Sequence, residues 1–346
     1  MAPGADYAFV EERLGEYKSA TSELIAALLP SKEPRRYLYD LIPEYPNRLG
    51  KGLRPGLCIA TCRALGGDIN KVIYSAAAIE LFHNAFLVHD DVEDGSLQRR
   101  GQPTLSAEYG LAIAVNVGDA MNVLSLHPLT HNLEILGPTL AWLVFAEIEH
   151  MVRESVEGQA MELGWVRDNA LDIVEADYLR MTLKKTCWYT CMHPCRIGAL
   201  VATGGQCDAD RFNHFGYYMG AAFQIQDDIL NLVGDGDKYG KESSGDLWEG
   251  KRTLMLIHVF ETCSASERRR LRLFLSRSRD QRSEEDVAWL LALMHKHDSI
   301  DYARSCAKQL AGAALYQFQS TYGDLPRSDD KRFIEQIVMY MIEREL

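Results

Sequence analysis

Residues His89–Asp94 have the sequence HDDVED and end a long apolar stretch of the chain. Residues 71–94 contain neither proline nor glycine, so they predict one helix of about 24 residues, roughly 36 Å long. On that helix Asp90 and Asp94 share a face, with Asp91 beside them. Clustered carboxylates repel one another unless a cation lies among them, and Mg²⁺ prefers such oxygen ligands together with phosphate. Taken alone, the stretch fits an acidic helix end in solvent equally well.

A second acidic motif of the same character lies further along the chain. Residues Phe223–Asn231 have the sequence FQIQDDILN and continue a helical apolar pattern. On a helix Asp227 shares a face with Gln224 and Asn231, whose side chains also carry oxygen. Together the two motifs predict a cage for magnesium and diphosphate, with the metal ligands Asp90, Asp91, Asp94, Asp227 and Asp228.

Basic residues follow each acidic motif. Arg99 and Arg100 come after the first motif, and a glycine-broken loop after the second carries Lys241, Lys251 and Arg252. A guanidinium group donates hydrogen bonds in a fork that matches phosphate, and an ammonium group neutralises its charge. This order of acidic and basic residues therefore strengthens the prediction of a diphosphate site.

The composition limits the class of protein. With 346 residues, of which 47% are hydrophobic, the chain can bury one large core. No linker rich in serine, glycine or proline divides it, so we predict a single domain over residues 1–346. The net charge of −12 argues against a nucleic-acid partner, which requires clustered lysine and arginine. Helical patterns recur without an alternating strand pattern, which predicts an all-α fold.

The cysteines indicate a reducing compartment. Eight cysteines in a chain of this length do not suggest a secreted disulfide scaffold, so we expect reduced thiols in the cytoplasm. Cys187, Cys191 and Cys195 recur at helical spacing with His193 among them, and a helical face of small apolar residues explains them better than a metal site does. The sequence has no stretch of 18 apolar residues and no signal peptide, so no transmembrane segment is expected.

From about Gly50 to about Ile257 the sequence resembles the trans-isoprenyl diphosphate synthases, also called polyprenyl synthetases. The matching motifs occur in the order of that family: the first acidic motif with Arg99-Arg100-Gly101, the pair Lys185-Thr186, the FQxxDD motif at Phe223–Asp228 and the glycine-rich loop that follows. The resemblance implies a bundle of antiparallel helices around a central active-site cavity, with Mg²⁺ as the cofactor and a homodimer as the assembly.

The resemblance also implies a role for each matching residue. Isopentenyl diphosphate would be bound by Lys51, Arg54 and His83. The other residues implied in substrate binding are Arg99, Arg100, Lys185, Thr186, Gln224, Lys241 and Lys251. Catalysis would depend on Asp90, Asp91, Asp94, Asp227 and Lys185. The chain departs from the family at Gly52, where many members have arginine, and at Glu162, where they have aspartate. Glu162 and its neighbour Gln159 either support the metal cluster or form an ordinary pair on a helix surface.

The implied reaction is the head-to-tail condensation of isopentenyl diphosphate with dimethylallyl, geranyl or farnesyl diphosphate. Near Asp90, Ala85 is small and Phe86 points about 100° away from it, which leaves room for a longer chain. Asn231 at the end of the second motif also resembles geranylgeranyl diphosphate synthases, so a C20 product is expected. Two alternatives stay open. A terpene cyclase would not need the isopentenyl diphosphate site, and a non-catalytic regulatory subunit would be expected to lack acids of the first motif.

Overall fold

The computed structural model describes residues 6–48, 50–234 and 244–343, which are mostly helical. The first helices are α1 (Tyr7–Leu28), α2 (Glu44–Asn47), α3 (Leu53–Ala64), α4 (Ile69–Glu93), α5 (Leu105–Tyr109), α6 (Leu111–Leu124), α7 (His127–Ile135) and α8 (Pro138–Arg167). They are followed by α9 (Glu175–Thr182), α10 (His193–Thr203), α11 (Asn213–Val233), α12 (Gly245–Glu249), α13 (Leu254–Thr262), α14 (Ala265–Leu275), α15 (Glu284–Lys296), α16 (Ser299–Tyr322) and α17 (Asp329–Glu343). Short π-helical segments (Arg35–Tyr39 and Leu183–Met192) and 3₁₀ segments (Ala209–Phe212 and Arg279–Gln281) lie between them. The predicted all-α fold is confirmed.

Helix α4, which the sequence predicts as one long helix, is the central element of the fold. It begins after Asp68, whose carboxylate accepts a hydrogen bond from the backbone N–H of Asn70 and so satisfies a free donor of the first turn. It packs against α1, α3, α6 and α7. By length and composition α4 could cross a membrane, but 67% of its most apolar window is buried inside the protein. Its surroundings are those of a core helix, and its C-terminal end carries the first acidic motif.

A short β-hairpin follows α4, although no strand was predicted. Strands β1 (Gln98–Arg99) and β2 (Gln102–Pro103) pair in antiparallel orientation. The two residues between them, Arg100 and Gly101, have φ values of 54° and 74°. Positive φ at both positions is the mark of a type I′ turn, which joins twisted strands with little strain. Strands of two residues are too short to show an alternating pattern, so their sequence gave no strand signal.

A π-helical segment carries part of the predicted diphosphate site. Helix α9 continues directly into Leu183–Met192 and then into α10. π-Helical turns are rare and occur frequently at functional sites. Glycines of neighbouring helices make room for this one: at Gly158 of α8, and at Gly216 and Gly220 of α11, a Cβ atom would overlap the segment. The pattern over residues 174–203 predicted a helix, and the change to π-helical turns inside it left no signal in the periodicity.

Helices α2, α7, α12 and α14 were not predicted. The glycines and proline of residues 50–56 indicate either a loop or a helix start, and the structure shows a helix start, because α3 begins directly after Gly52, whose φ is +64°. Helix α14 is rich in arginine, yet it begins with a capping box between Ser264 and Glu267, which is a recognisable start signal. The predicted helix over residues 107–126 is interrupted at Gly110, where φ is +87°, and so gives α5 and α6. Most of the other predicted helices agree with those observed to within a few residues.

The two ends of the described chain meet beside a central cavity. Helix α1 packs against α3, α4 and α17, and Arg13 and Tyr17 of α1 both donate hydrogen bonds to Asp330 of α17. Helix α11 packs against both α16 and the π-helical segment. The cavity has a volume of about 300 Å³, and its lining includes Leu14 of α1 and Ile337 of α17. The predicted arrangement of a helical bundle around a central cavity is thus observed.

Candidate active site

The cavity brings together most of the predicted site residues. Its lining includes Lys51, Arg54, His83, Asp90, Arg99, Arg100, Lys185, Thr186, Gln224, Asp227, Asp228 and Lys251. Asp91 and Asp94 are not part of this lining, and Lys241 lies outside the described residues. We call Asp90, Asp94, Asp227 and Asp228 the acidic cluster, and Lys51, Arg54, His83 and Arg100 the basic cluster.

The end of α4 places two carboxylates against cations. Asp90 accepts a hydrogen bond from Arg99 at 3.1 Å and lies 3.7 Å from the ammonium group of Lys185. Asp94 pairs with Lys251 at 2.8 Å. Burial raises the pKa of Asp94, and the charge of Lys251 opposes that rise. Both carboxylates therefore depend on a neighbouring positive charge.

Asp91 differs from its neighbours in the same motif. It is 1% exposed and accepts hydrogen bonds from the hydroxyl of Tyr45 at 2.5 Å and from Nε of Arg99 at 2.7 Å. Burial lowers the pKa of Arg99, but the charge of Asp91 outweighs this and raises it. The predicted metal ligand Asp91 thus lies behind the cavity, where it orients Arg99.

The second acidic motif forms a row of hydrogen bonds between α11, α9 and the π-helical segment. Asp228 accepts from Nε2 of Gln224 at 2.7 Å and from the hydroxyl of Tyr178 at 2.8 Å. Gln224 accepts in turn from the hydroxyl of Thr186 at 2.6 Å. Burial, and to a smaller extent the charge of Asp227, raise the pKa of Asp228 to about 7. The pKa is raised mainly because burial disfavours the charged carboxylate, and a cation bound beside it would stabilise that charged form.

Asn231 holds the loop that follows the second motif. Its side-chain oxygen accepts a hydrogen bond from the backbone N–H of Asp246 at 3.0 Å, and its backbone oxygen accepts from Ser244 at 2.8 Å. The same loop places Lys251 within 2.8 Å of both Asp94 and Glu249. An amide at position 231 makes these contacts without adding a further negative charge beside the acidic cluster.

Gln159 and Glu162 of α8 face the acidic cluster, which decides between the two roles that their sequence left open. They are 6% and 9% exposed. Gln159 donates to Glu93 at 2.5 Å and to Asp90 at 3.5 Å, whereas Glu162 forms an ion pair with Lys185. The pair therefore supports the site and is not an ordinary helix-surface pair.

Arg54 is the most firmly held residue of the basic cluster. Its Nη2 donates to the hydroxyls of Tyr189 at 2.7 Å and Thr190 at 2.9 Å, and its Nη1 lies 3.2 Å from Nε2 of His83. Its guanidinium stacks over the ring of Tyr189 at 4.2 Å. A lysine could not reproduce this forked and stacked arrangement.

Arg100 and Lys51 complete the basic cluster on the side of α3. Arg100 packs so closely on Gly50 that a Cβ there would lie 2.7 Å from its Nη1. Burial lowers the pKa of Arg100, and the charge of Glu80 on α4 opposes this. The ammonium group of Lys51 lies 4.9 Å from the ring centre of Tyr340. The hairpin thus sends two adjacent arginines apart: Arg99 to the acidic cluster and Arg100 to the basic one.

His83 is a neutral imidazole with its proton on Nδ1. Burial, followed by the charges of Arg54 and Arg100, lowers its pKa well below the ordinary value. A guanidinium group can only donate, so Nε2 of His83 must accept from Arg54. The proton therefore resides on Nδ1, which is buried without a protein partner. His83 as a residue lines the cavity, next to the guanidinium of Arg54.

The oxygen ligands fit a divalent cation that is shared with a ligand. Among the described residues, no three His, Cys, Asp or Glu side chains converge to hold one ion. Asp90 and Asp227 line the same cavity from different helices. Mg²⁺ commonly takes one or two carboxylates and completes its shell with water and phosphate oxygens. The acidic cluster suits that mode of binding, with Asp94 close by and Asp91 occupied by Arg99.

The cysteines that were weighed as an alternative metal site have ordinary core surroundings. Burial raises the pKa of Cys191 well above its usual value, which disfavours the thiolate that a metal requires. His193 binds Glu147 at 2.8 Å and His150 at 2.9 Å. The three cysteines thus belong to the packed core around the π-helical segment and α10, and His193 belongs to a hydrogen-bonded contact between α10 and α8.

Several residues that shape the site were missed in the sequence. Tyr45 and Tyr178 orient Asp91 and Asp228 from distant parts of the chain, and no local pattern points to them. Tyr189 had a signal, because it lies four residues after Lys185 and helical spacing places both on one face.

The fold and the cavity define the class of protein. An all-α bundle that combines two acidic motifs with a separate basic cluster is suited to two diphosphate substrates, one of them bound through metal. Residues 35–294 match the family model described as "Polyprenyl synthetase", and the chain belongs to this family.

Named relatives agree with this assignment. A geranylgeranyl diphosphate synthase of Sulfolobus acidocaldarius is 30% identical over 320 residues, which cover 92% of this chain and 94% of that protein. The crystal structure of a geranylgeranyl pyrophosphate synthetase from Pyrococcus horikoshii has 31% identity and a TM-score of 0.85, with 98% of this chain and 99% of that one covered. A polyprenyl synthase from Caulobacter crescentus, solved with calcium and isoprenyl diphosphate, has a TM-score of 0.87 at 24% identity, covering both chains completely. Prenyl chain elongation is the activity that these relatives support, and a terpene cyclase is not favoured.

Proposed function

We propose that this protein condenses isopentenyl diphosphate head-to-tail with an allylic diphosphate and makes geranylgeranyl diphosphate (C20) as its main product. The observation that carries the proposal is that Asp90, Asp227 and Asp228 of the acidic cluster line the same cavity as the basic cluster. A cyclase would need the first cluster, since it also ionises a diphosphate, but it has no second diphosphate to bind. A regulatory subunit would need neither cluster intact.

Mg²⁺ is the proposed cofactor. Asp90 and Asp94 of α4 would hold it together with Asp227 and Asp228 of α11, and diphosphate oxygens would complete its coordination. When bound, Mg²⁺ neutralises phosphate oxygens and makes diphosphate a better leaving group. The raised pKa values of Asp94 and Asp228 and the oxygen-only ligand set support this assignment.

The cations that pair with carboxylates of the site are proposed to bind the allylic diphosphate. Without substrate, Arg99, Lys185 and Lys251 pair with carboxylates of the site. When the allylic C1–O bond breaks, negative charge develops on the departing diphosphate, and these donors stabilise it. Phe86 and Phe223 are among the apolar lining residues that keep water from the allylic cation.

The basic cluster is proposed to hold isopentenyl diphosphate. Lys51, Arg54 and Arg100 neutralise its phosphates, and His83 supports Arg54 from the same cluster. The double bond of the bound molecule attacks C1 of the allylic cation and forms the new carbon–carbon bond. Loss of a proton to the released diphosphate then gives the elongated allylic product. Lys241, from outside the described residues, stays a prediction for substrate binding.

The apolar face of α6, α7 and α8 supports a homodimer. Large hydrophobic side chains are exposed along it: Val123, Leu126, Leu133, Trp142 and Phe145. Contiguous exposed apolar residues of this kind mark an interaction surface, and we propose that a second copy of the chain covers them. Trp142→Glu should convert the dimer to a monomer in analytical ultracentrifugation, whereas Tyr316→Glu, on an exposed position of α16, should leave it a dimer.

We further propose that residues 1–346 act as one domain in a reducing compartment, the cytoplasm. Leu14 near one end of the chain and Ile337 near the other line the same cavity, which supports a single unit. All eight cysteines are free thiols, and most are buried, which supports reducing conditions.

Product analysis tests the proposed function directly. The protein is incubated with isopentenyl diphosphate, Mg²⁺ and, in separate tubes, dimethylallyl, geranyl or farnesyl diphosphate. A C20 diphosphate is expected from each starter. A C15 product, or one longer than C20, would keep the reaction and reject the chain length. Hydrocarbon from geranylgeranyl diphosphate alone, without elongation, would show a cyclase instead.

A further inference from the structure

We infer that Arg282 is a positioning residue of this reaction, because it fixes the loop that presents Lys251 to the acidic cluster. The inference rests on the proposed function. Arg282 lies between α14 and α15, well beyond the last sequence motif, and it is not among the residues that line the cavity. Any effect it has on turnover must therefore pass through the elements that it touches.

Arg282 binds the C-terminal end of α12. The residue is 8% exposed, and its Nη1 donates to the backbone oxygens of Leu247, at 3.4 Å, and Trp248. Carbonyls in the last turn of a helix lack helical partners, and a cation there also opposes the helix dipole favourably. Its Nε donates to the backbone oxygen of Phe274 at 3.4 Å. Arg282 thus ties α12 to the end of α14.

The same guanidinium packs against the residue before Lys251. Gly250 has a φ of +71°, and a Cβ atom there would lie 2.7 Å from Nη2 of Arg282. Glycine is therefore required twice, for the backbone conformation and for the close approach of the arginine. The chain then turns back, and the backbone N–H of Lys251 binds the backbone oxygen of Asp246 at 2.9 Å. The conformation of this turn and the position of Arg282 depend on each other.

Lys251 needs such support because its own side chain is flexible. Its ammonium group lies 2.8 Å from both Asp94 and Glu249, but four rotatable carbons separate it from the backbone. Without Arg282 the carbonyl of Trp248 loses its donor, the carbonyl of Leu247 keeps only the N–H of Gly250, and the turn at Gly250 loses the group that packs on it. A displacement of about 1 Å in a catalytic group can lower a rate about 100-fold.

A second buried arginine holds the same loop from another side. Arg252 donates to Asn169 at 2.8 Å and to the backbone oxygen of Ala170 at 3.0 Å. Because Arg252 lines the cavity, a substitution there would mix loss of position with loss of charge near the substrate. A substitution of Arg282 removes only the support of the loop and takes no charge from the cavity lining, so it is the better test.

A double-mutant cycle between Arg282 and Lys251 tests the inference. Arg282→Met should lower kcat about 100-fold, while the KM for isopentenyl diphosphate should not change, because the basic cluster is intact. The double variant with Lys251→Met should be no slower than Lys251→Met alone, since both changes remove the same contribution. Arg277→Met is the matched control: Arg277 lies in the same segment and pairs at the surface with Asp286, so kcat should be unchanged.

Hydrogen exchange gives a readout that does not depend on turnover. Amides of residues 244–253 should exchange faster in Arg282→Met than in the wild type or in Arg277→Met. Unchanged exchange, an unchanged kcat in a folded variant, or rate losses that multiply in the double variant would each overturn the inference. If Arg282→Met does not fold, Gly250→Ala takes its place, because the added Cβ displaces the guanidinium. Failure of the wild type to elongate a prenyl chain would instead refute the proposed function, and hydrogen exchange would still decide the role of Arg282.

Discussion

The acidic and basic clusters meet at one cavity but are stabilised in opposite ways. In the acidic cluster each carboxylate of α4 has a cation of the protein as its partner, as in the pair between Asp94 and Lys251. In the basic cluster Arg54 is held mainly by neutral hydroxyl and imidazole groups, and Glu80 supplies the opposing charge that acts on Arg100. The acidic cluster can release the lysine and arginine side chains that pair with it and take up a metal ion and a diphosphate in their place. The second has cationic charge in excess and is ready for an anion without any exchange.

The largest expected effect comes from removing a carboxylate of the acidic cluster. Asp90→Ala and Asp227→Ala should each lower kcat by about 100- to 1,000-fold or more, because charge at the transition state loses its stabilisation. Helical content and Tm should stay close to wild type. Asp301→Ala is the control, since Asp301 pairs with Arg304 at the surface. Wild-type turnover in either of the first two variants would contradict the assignment of the metal site.

A change in the basic cluster should affect one substrate and not the other. Arg54→Lys keeps the charge but loses the fork to Tyr189, Thr190 and His83, and should raise the KM for isopentenyl diphosphate about tenfold or more, the value of one charged hydrogen bond. The KM for the allylic substrate should not change. Initial rates at varied concentrations of each substrate give both constants. An equal rise in the two KM values would show that the clusters are not separate sites.

Product length should respond to Phe86, which lines the cavity beside both clusters. Its ring packs on Phe82 at 4.8 Å and lies 6.1 Å from that of Tyr189, whereas Ala85 is buried in a different cluster against α6. Phe86→Ala should therefore shift the products beyond C20, and Ala85→Gly should not, as measured by chromatography of the dephosphorylated products. Longer products from Ala85→Gly but not from Phe86→Ala would show that position 85, which the sequence predicts to leave room for a longer chain, limits product length instead.

The smallest effect concerns the pH dependence of stability. Folding lowers the pKa of His83, so below about pH 6.5 the unfolded chain takes up a proton that the folded protein does not. His83 therefore contributes stability that is complete above that pH and decreases as the pH falls. In His83→Gln the decrease in Tm between about pH 7 and pH 5 should be smaller, while kcat is retained. His193→Gln should reduce the slope as well, since the pKa of His193 is lowered to about 4, but should leave the KM for isopentenyl diphosphate unchanged. A slope unaltered by His83→Gln would mean that His83 is already charged in the folded protein.

Much of the site was predictable because its chemistry is local in sequence. The spacing of Asp90 and Asp94 on one helix indicates a face of carboxylates before any contact is known, and Asp227 lies on a similar face of oxygen-bearing side chains. The long apolar stretch ending at His89 was likewise sufficient to predict α4 as one long helix. These features depend on helical periodicity, which short-range spacing determines.

The remainder depends on contacts between distant parts of the chain. Asp91 belongs to the same motif as Asp90, and only the approach of Tyr45 and Arg99 removes it from the cavity. The role inferred for Arg282 comes from its contacts with α12, which lie 34 and 35 residues away in sequence. The π-helical turns at Lys185 depend on the space left by glycines of other helices. No pattern within one segment contains this information.

The hairpin after α4 fixes the spacing between two arginines that reach different clusters. Consecutive Cα atoms are about 3.8 Å apart, and Arg99 and Arg100 are consecutive, so the donors offered to the two diphosphates originate from neighbouring points of one rigid turn. Motions that move helices relative to one another can change the volume of the cavity but cannot change this spacing. An insertion or deletion of a single residue in the turn would change the spacing between the two arginines. If these two arginines bind the two diphosphates as proposed, loop grafting between related enzymes should succeed only where the peptide bond between them is kept.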